Sequence, residues 1–94
     1  MSTIDNNEYK IIVVLAIEHT LLKISIATLE KVQSKIRKDY NCDLSECYSH
    51  PEYLNKVLKD LFGPSYSEIV KSVNKYLSDF AYQRPIAEFL DKIR

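Results

Sequence analysis

The chain contains little of several residue types on which specialised proteins depend. Its 94 residues include one Gly, three Pro and no Trp, which leaves little material for flexible linkers or low-complexity tails. With a single Gly, anion sites lined by backbone N–H groups, such as phosphate loops, are hard to form. Two Cys are too few for a disulfide framework. No segment of roughly 20–50 residues repeats, which argues against a solenoid.

The chain also lacks an excess of charge and a long apolar run. Thirteen basic residues balance thirteen acidic ones, whereas nucleic-acid-binding domains usually carry a positive excess. The most apolar run, Ile11 to Ile17, is much shorter than the roughly 20 residues that span a bilayer, and we do not interpret it as a signal peptide. We therefore expect a cytoplasmic protein without membrane association, and we do not expect nucleic acid as its partner.

What the chain does contain is an ordinary globular balance, with 46% hydrophobic and 28% charged residues. A chain of this length can bury roughly 60–70% of its unfolded surface, so it needs no metal or other cofactor for folding. Apolar residues recur with the helical period and no long segment alternates with period two. The sequence predicts an all-α fold, a single domain over residues 1–94 formed by a compact bundle of about five helices, with residues 1–6 as a disordered N-terminus.

Helix start and stop signals divide the chain. The first helix is predicted over about Asn7–Lys23. The second follows the capping residue Ser25 and ends at Asn41, which tolerates the left-handed conformation. A connector over 42–49, with a helical turn after Asp43 as an option, leads to the other three helices. These are predicted to open at Pro51, at a Ser65-x-x-Glu68 capping box (a helix over 65–81) and at Arg84-Pro85, the first of them stopping at Gly63-Pro64.

The first helix carries apolar residues on two sides. One stripe contains Val13, Ile17, Leu21 and Ile24, and a second stripe lies nearly opposite. Two interpretations follow, of which we prefer the first. Either this helix is central and wrapped by the others, or one stripe faces the core while the other meets a second copy or a partner. The members of the second stripe are Ile11, Leu15 and Leu22.

The connector holds the densest group of reactive side chains, Cys42, Asp43, Glu46, Cys47 and His50. Thiolates and imidazole are typical zinc ligands, so Cys42, Cys47 and His50 are weak metal-site or redox candidates. The Cys spacing fits zinc patterns poorly and no second ligand pair exists, so we prefer cysteines that pack as small apolar residues. No cofactor or metal is expected.

Catalysis and DNA binding are weaker hypotheses. No nucleophile turn or zinc-protease motif is present, and His19 beside Glu18 is typical of a polar helix edge, so we do not expect an enzyme. The third and fourth helices have the turn of a helix-turn-helix, which makes a DNA-binding regulator using the helix at 65–81 an alternative. Its groove-facing residues would be Ser67, Lys71, Asn74 and Lys75.

Seven tyrosines are many for this length, and Tyr48 and Tyr53 flank the connector. Tyrosine suits both the rim of a core and a protein interface. The candidate interaction surface therefore comprises residues of the first helix and of the connector, together with the second stripe of the first helix. The candidate residues are Val13, Ile17, Leu21, Tyr48, His50 and Tyr53.

The segment from Cys42 to Leu54, with its His50-Pro51-Glu52-Tyr53-Leu54 element, and the following Val57 to Gly63 resemble the Nitrosopumilus output domain, a small helical domain of ammonia-oxidising archaea. Pro85-Ile86 with Phe89-Leu90 fits the same pattern. The resemblance covers most of the chain from about Glu18. It implies an output or adaptor role in archaeal signal transduction, and it implies no catalytic residues. We expect a non-catalytic regulatory domain that contacts a protein partner or forms a homodimer.

Overall fold

The computed structural model describes residues 6–94, and all regular structure in that range is helical. The predicted all-α bundle is confirmed. Of the expected disordered segment 1–6, residues 1–5 lie outside the described residues, and Asn6 is the first residue of a helix. Three short 3-10 helices cover Leu44–Tyr48, Gly63–Ser65 and Ser78–Phe80. The α-helices are α1 (Asn6–Ile24), α2 (Ile26–Tyr40), α3 (Pro51–Phe62), α4 (Tyr66–Tyr76) and α5 (Arg84–Ile93).

Local signals fix three of the helix boundaries as predicted. Ser25 has extended backbone angles and its side-chain oxygen accepts a hydrogen bond from the backbone N–H of Thr28 at 3.0 Å, which caps α2. Asn41 ends α2 in the left-handed conformation with φ of 55°, and its N–H donates to the carbonyl of Arg37. Pro51 opens α3 at a position where its missing N–H costs nothing.

The capping box at Ser65 is a wrong prediction. Ser65 has φ of −71° and ψ of −10°, which are helical angles, and its side chain makes no capping hydrogen bond. The reason is the preceding 3-10 turn, Gly63–Ser65, which leads directly into α4 and leaves no extended residue at the junction. A capping side chain reaches the first helical N–H groups only from extended backbone.

The fourth helix is also shorter than the predicted span of 65–81. It ends at Tyr76, and a separate 3-10 turn follows. The side chain of Ser78 donates to the carbonyl of Lys75 at 2.9 Å, and the N–H of Leu77 donates to the carbonyl of Val73 at 3.0 Å as the last α-helical bond. A serine side chain that bonds the backbone locally competes with continuation of the α-helix.

The core is formed around one face of α1. Val13, Ile17 and Leu21 are almost completely buried, and α1 packs against α2, α4, α5 and the 3-10 turn Leu44–Tyr48. The opposite side of α1 is open to solvent, so the preferred interpretation of a helix wrapped on all sides is wrong. The four following helices do not enclose α1, because α3 packs on α2 and α5 instead of on α1. No helix within 6–94 is long and apolar enough to cross a membrane.

Hydrogen bonds between distant residues fix the helix ends against one another. The side-chain amide of Asn55 in α3 donates to the carbonyls of Ile93 and Arg94 at 2.8 and 2.9 Å, which satisfies two carbonyl groups at the end of α5. The hydroxyl of Tyr9 in α1 donates to Oε1 of Gln83 at 2.8 Å. Both bonds join segments that are far apart in the sequence.

The two serines that precede α2 and α4 offer a matched test of helix capping. We expect Ser25→Ala to lower the free energy of unfolding by about 1 kcal/mol, because it removes a capping acceptor. Ser65→Ala should change it by less than about 0.5 kcal/mol, since Ser65 is exposed and caps nothing. Urea unfolding followed by circular dichroism measures both changes. Equal losses for the two variants would contradict the assigned caps.

Candidate functional site

The exposed side of α1 carries three large apolar side chains, Ile11, Leu15 and Leu22, which we call the α1 stripe. Their exposed fractions are 52%, 44% and 42%. At about 100° per residue these positions lie opposite the buried face of the helix. Ile24 and Ile26, at the corner between α1 and α2, are also exposed, by 56% and 68%, and Ile24 lies on the other side of the helix.

Three of the candidate interface residues belong to the core instead of the surface. Val13, Ile17 and Leu21 have at most 1% of their surface exposed, because α2, α4 and α5 cover this face of α1. They are therefore not accessible to a partner in this fold. Of the first stripe only Ile24 is exposed, so the α1 stripe is the apolar side of α1 that is available for contact.

The connector residues form an aromatic stack between α2 and α3. The ring of Tyr53 lies parallel to that of Tyr40, with centroids 4.0 Å apart, and parallel to that of His50 at 4.6 Å. Nδ1 of His50 lies 3.3 Å from a carboxylate oxygen of Glu52, and the imidazole is exposed. The structure thus brings together two of the three predicted connector residues, His50 and Tyr53.

Tyr48 points in a different direction. It is half-buried and its ring packs on that of Phe89 in α5, with centroids 6.5 Å apart. Burial raises the pKa of the Tyr48 hydroxyl. Tyr48 therefore lies at the rim of the bundle core, which is the first of the two roles expected for these tyrosines. His50, by contrast, lies at the surface.

The two cysteines pack as apolar residues. Cys47 is fully buried in the core and Cys42 is half-buried, and both are free thiols. Burial raises the pKa of Cys47 from 9.0 to about 12 and also raises that of Cys42. In the described part of the chain no group of three or more His, Cys, Asp and Glu side chains is arranged to hold a metal ion. A protonated, buried thiol is a poor ligand and a poor nucleophile.

A pocket of about 320 Å³ lies beside the aromatic stack. Asp43 and Glu46 give it an acidic lining, together with Cys42, His50 and both stacked tyrosines. Arg37 donates to Asp43 at 3.1 Å and partly neutralises it, although both side chains are exposed. The pocket contains Cys42, the two carboxylates and the imidazole predicted for the connector, but Cys47 does not line it, because that thiol is buried in the core.

The proposed recognition helix is α4, and its polar residues are partly engaged. The amide of Asn74 donates to the carbonyl of Val70 at 2.8 Å, and Lys71 lies 3.8 Å from a carboxylate oxygen of Glu68. Ser67 donates to the carbonyl of Pro64 at 3.2 Å. A residue that already donates to its own helix offers less to a base edge. Lys75 is exposed and lines a groove between α4 and α1.

His19 does not form a pair with the adjacent Glu18. Its Nδ1 shares a hydrogen bond with the hydroxyl of Tyr76 in α4, and the two rings meet edge to face with centroids 5.5 Å apart. No sequence signal indicated this contact, because the two residues are 57 positions apart. The pair marks one end of a groove between α1 and α4.

Comparison of the chain with models of protein families, with curated proteins and with solved structures found no match in any of the three. The resemblance to the archaeal output domain therefore remains an expectation from the residues of the middle segment.

The buried thiol of Cys47 makes stability depend on pH above neutrality. The unfolded thiol ionises near pH 9, whereas the folded one ionises near 12. Between these values the unfolded state has lost a proton that the folded state retains, so the free energy of unfolding must fall as pH rises. We expect urea midpoints to fall between pH 8.5 and about 10.5.

Cys47→Ala is the control for this prediction, because it removes the titrating group and should make the fall less steep. Mass spectrometry after iodoacetamide treatment at pH 8 gives a second measurement. Cys47 should be labelled far more slowly than Cys42 in the folded protein, and both should react in urea. Rapid native labelling of Cys47 would refute its assigned burial.

Proposed function

We propose that this chain is a non-catalytic interaction domain that acts by contact with another protein, and that the contact surface is the α1 stripe. The observation that carries the proposal is the exposure of Ile11, Leu15 and Leu22 on the side of α1 opposite the core. Contiguous exposed apolar surface of this kind is characteristic of interaction sites.

The spacing on α1 favours a second copy of the chain as the occupant. Ile11, Leu15, Glu18 and Leu22 follow one another at intervals of four, three and four residues, which is the seam of a helix pair. In a parallel pair each Glu18 would face its own equivalent, which is unfavourable. In an antiparallel pair, Ile11 of one copy lies opposite Leu22 of the other, and the two Glu18 carboxylates are separated. We propose the antiparallel homodimer.

The signalling role is the second part of the proposal, and it is supported by the resemblance of the segment 42–63 to archaeal output domains. An output domain needs a surface that recognises another chain and no catalytic group. The exposed imidazole of His50, stacked on Tyr53, supplies a second candidate contact for such a partner. Tyrosine and stacked aromatic rings are common at protein interfaces.

A charge placed in the α1 stripe tests the proposal. We expect the native protein to show a dimer mass at high concentration in sedimentation or light scattering. Leu15→Glu should weaken association at least tenfold, because an unpaired carboxylate would be buried in an apolar contact. Its circular dichroism spectrum should be unchanged, since Leu15 does not belong to the core.

Two variants serve as controls. Tyr82→Glu alters an apolar side chain that is 80% exposed outside α1 and should leave the mass unchanged. Val13→Glu should unfold the protein, because Val13 is fully buried. A native protein that remains monomeric at millimolar concentration would eliminate the homodimer.

Binding to duplex DNA through α4 is the alternative function, and a DNA column distinguishes it from the interaction domain. We expect no retention on a DNA column at about 50 mM salt, because the chain is neutral and Asn74 and Lys71 are engaged. Retention that falls with rising salt and is lost in Lys71→Glu would establish the DNA-binding alternative. Lys31→Glu, which makes the same charge change on α2, is the control.

A further inference from the structure

A groove of about 510 Å³ lies between the C-terminal half of α1 and the exposed side of α4. It is larger than the acidic pocket at the connector, and its volume is within the range of about 300–1,000 Å³ that is typical of small-molecule sites. The groove does not include any residue of the α1 stripe or of the aromatic stack. It is therefore a separate feature of the molecule.

The floor and one end of the groove are fixed by the fold. Thr20 and Ile69, each only 6% exposed, lie at its base. The hydrogen bond between His19 and Tyr76 joins the two helices at one end, and Ile24 provides an apolar side. Because these contacts are made by the packed helices themselves, the groove needs little ordering on binding.

Two lysines that make no ion pair within residues 6–94 line this groove, Lys23 and Lys75. No carboxylate in the described part of the chain lies within ion-pair distance of the Lys23 or the Lys75 ammonium group. Glu68, the acidic residue of the groove, is instead next to Lys71. The lining therefore carries a positive excess in a protein whose total charge is zero.

The polar groups of the lining are of the kind that bind a carboxylate. Thr20, Ser72 and Tyr76 add hydroxyl groups to the two ammonium groups, and Ile24 and Ile69 add apolar surface. Glu68 would repel a second negative charge, which disfavours dianions such as phosphate. The lining has neither the arginine fork nor the glycine loop with which phosphate sites are usually formed.

We propose that the groove between α1 and α4 binds a small monocarboxylate with a compact apolar body, its carboxylate between Lys23 and Lys75 and its body against Ile24 and Ile69. Thr20, Ser72 and Tyr76 provide the neutral hydrogen-bonding groups. The site does not depend on the proposed dimer, because the two surfaces share no residue. Binding is electrostatically assisted and weakens as salt concentration rises.

Titration with benzoate, followed in ¹H–¹⁵N spectra of the full chain, tests this proposal, and benzamide is the neutral probe of the same shape. Benzoate should shift the amide signals of Thr20, Ser72 and Tyr76 saturably, with a dissociation constant in the millimolar range. Benzamide should bind at least about fivefold more weakly, because it lacks the charge that the lysines attract.

Matched variants locate the binding. Lys23→Gln and Lys75→Gln should each weaken benzoate binding about threefold to fivefold without altering the rest of the spectrum. Lys31→Gln removes an exposed lysine from α2, and Leu15→Glu alters the α1 stripe, and both should leave the affinity unchanged. Equal binding of benzoate and benzamide, equal loss in Lys31→Gln, shifts confined to the α1 stripe, or absence of saturation would each overturn the proposal.

Discussion

The burial of one face of α1 determines where the other helices lie. This face carries Val13, Ile17 and Leu21, which are removed from water. Full burial of one such side chain is worth roughly 1.5–3 kcal/mol, and four other elements of the chain contribute to covering this face. Since α2 follows α1 after a single capping residue, it has to fold back along the same face. The turn at 44–48, α4 and α5 then cover the rest of this face.

The same packing leaves the molecule with two different surfaces on α1. The side opposite the core carries the α1 stripe, which is apolar and supports the proposed contact with a second copy. The flank beside α4 contains the groove with Lys23 and Lys75. A protein with no net charge and one Gly has few means of forming a ligand site from backbone, so both proposed sites rely on side chains placed by packed helices.

The connector shows how the environment changes the chemistry of a suggestive motif. Cys42, Cys47 and His50 are close in sequence and contain groups that bind zinc. In the fold, Cys47 turns into the core, where burial raises its pKa to about 12, while His50 stacks on Tyr53 at the surface. Cys42 and His50 line the same pocket, but Cys47 does not, so the three residues do not form one site.

Local interactions allowed much of the helical structure to be predicted. The Ser25 cap, the left-handed Asn41 and Pro51 act within one helical turn, so their effect can be read from neighbouring residues. The prediction of a capping box at Ser65 was wrong because Ser65 belongs to a 3-10 turn, which gives it helical instead of extended backbone angles. The early end of α4 was also missed, since it depends on which carbonyl Ser78 bonds.

The sequence by itself determined the all-α class, three helix boundaries, the apolar character of both sides of α1 and the weakness of the zinc pattern. Only the tertiary structure decided which side of α1 is buried, since a helical period identifies two opposite stripes equally well when both are apolar. It also decided the pairings of His19 with Tyr76 and of Asn55 with the end of α5. These join residues 57 and 38 positions apart, and contacts over such distances depend on how whole helices pack rather than on any local pattern.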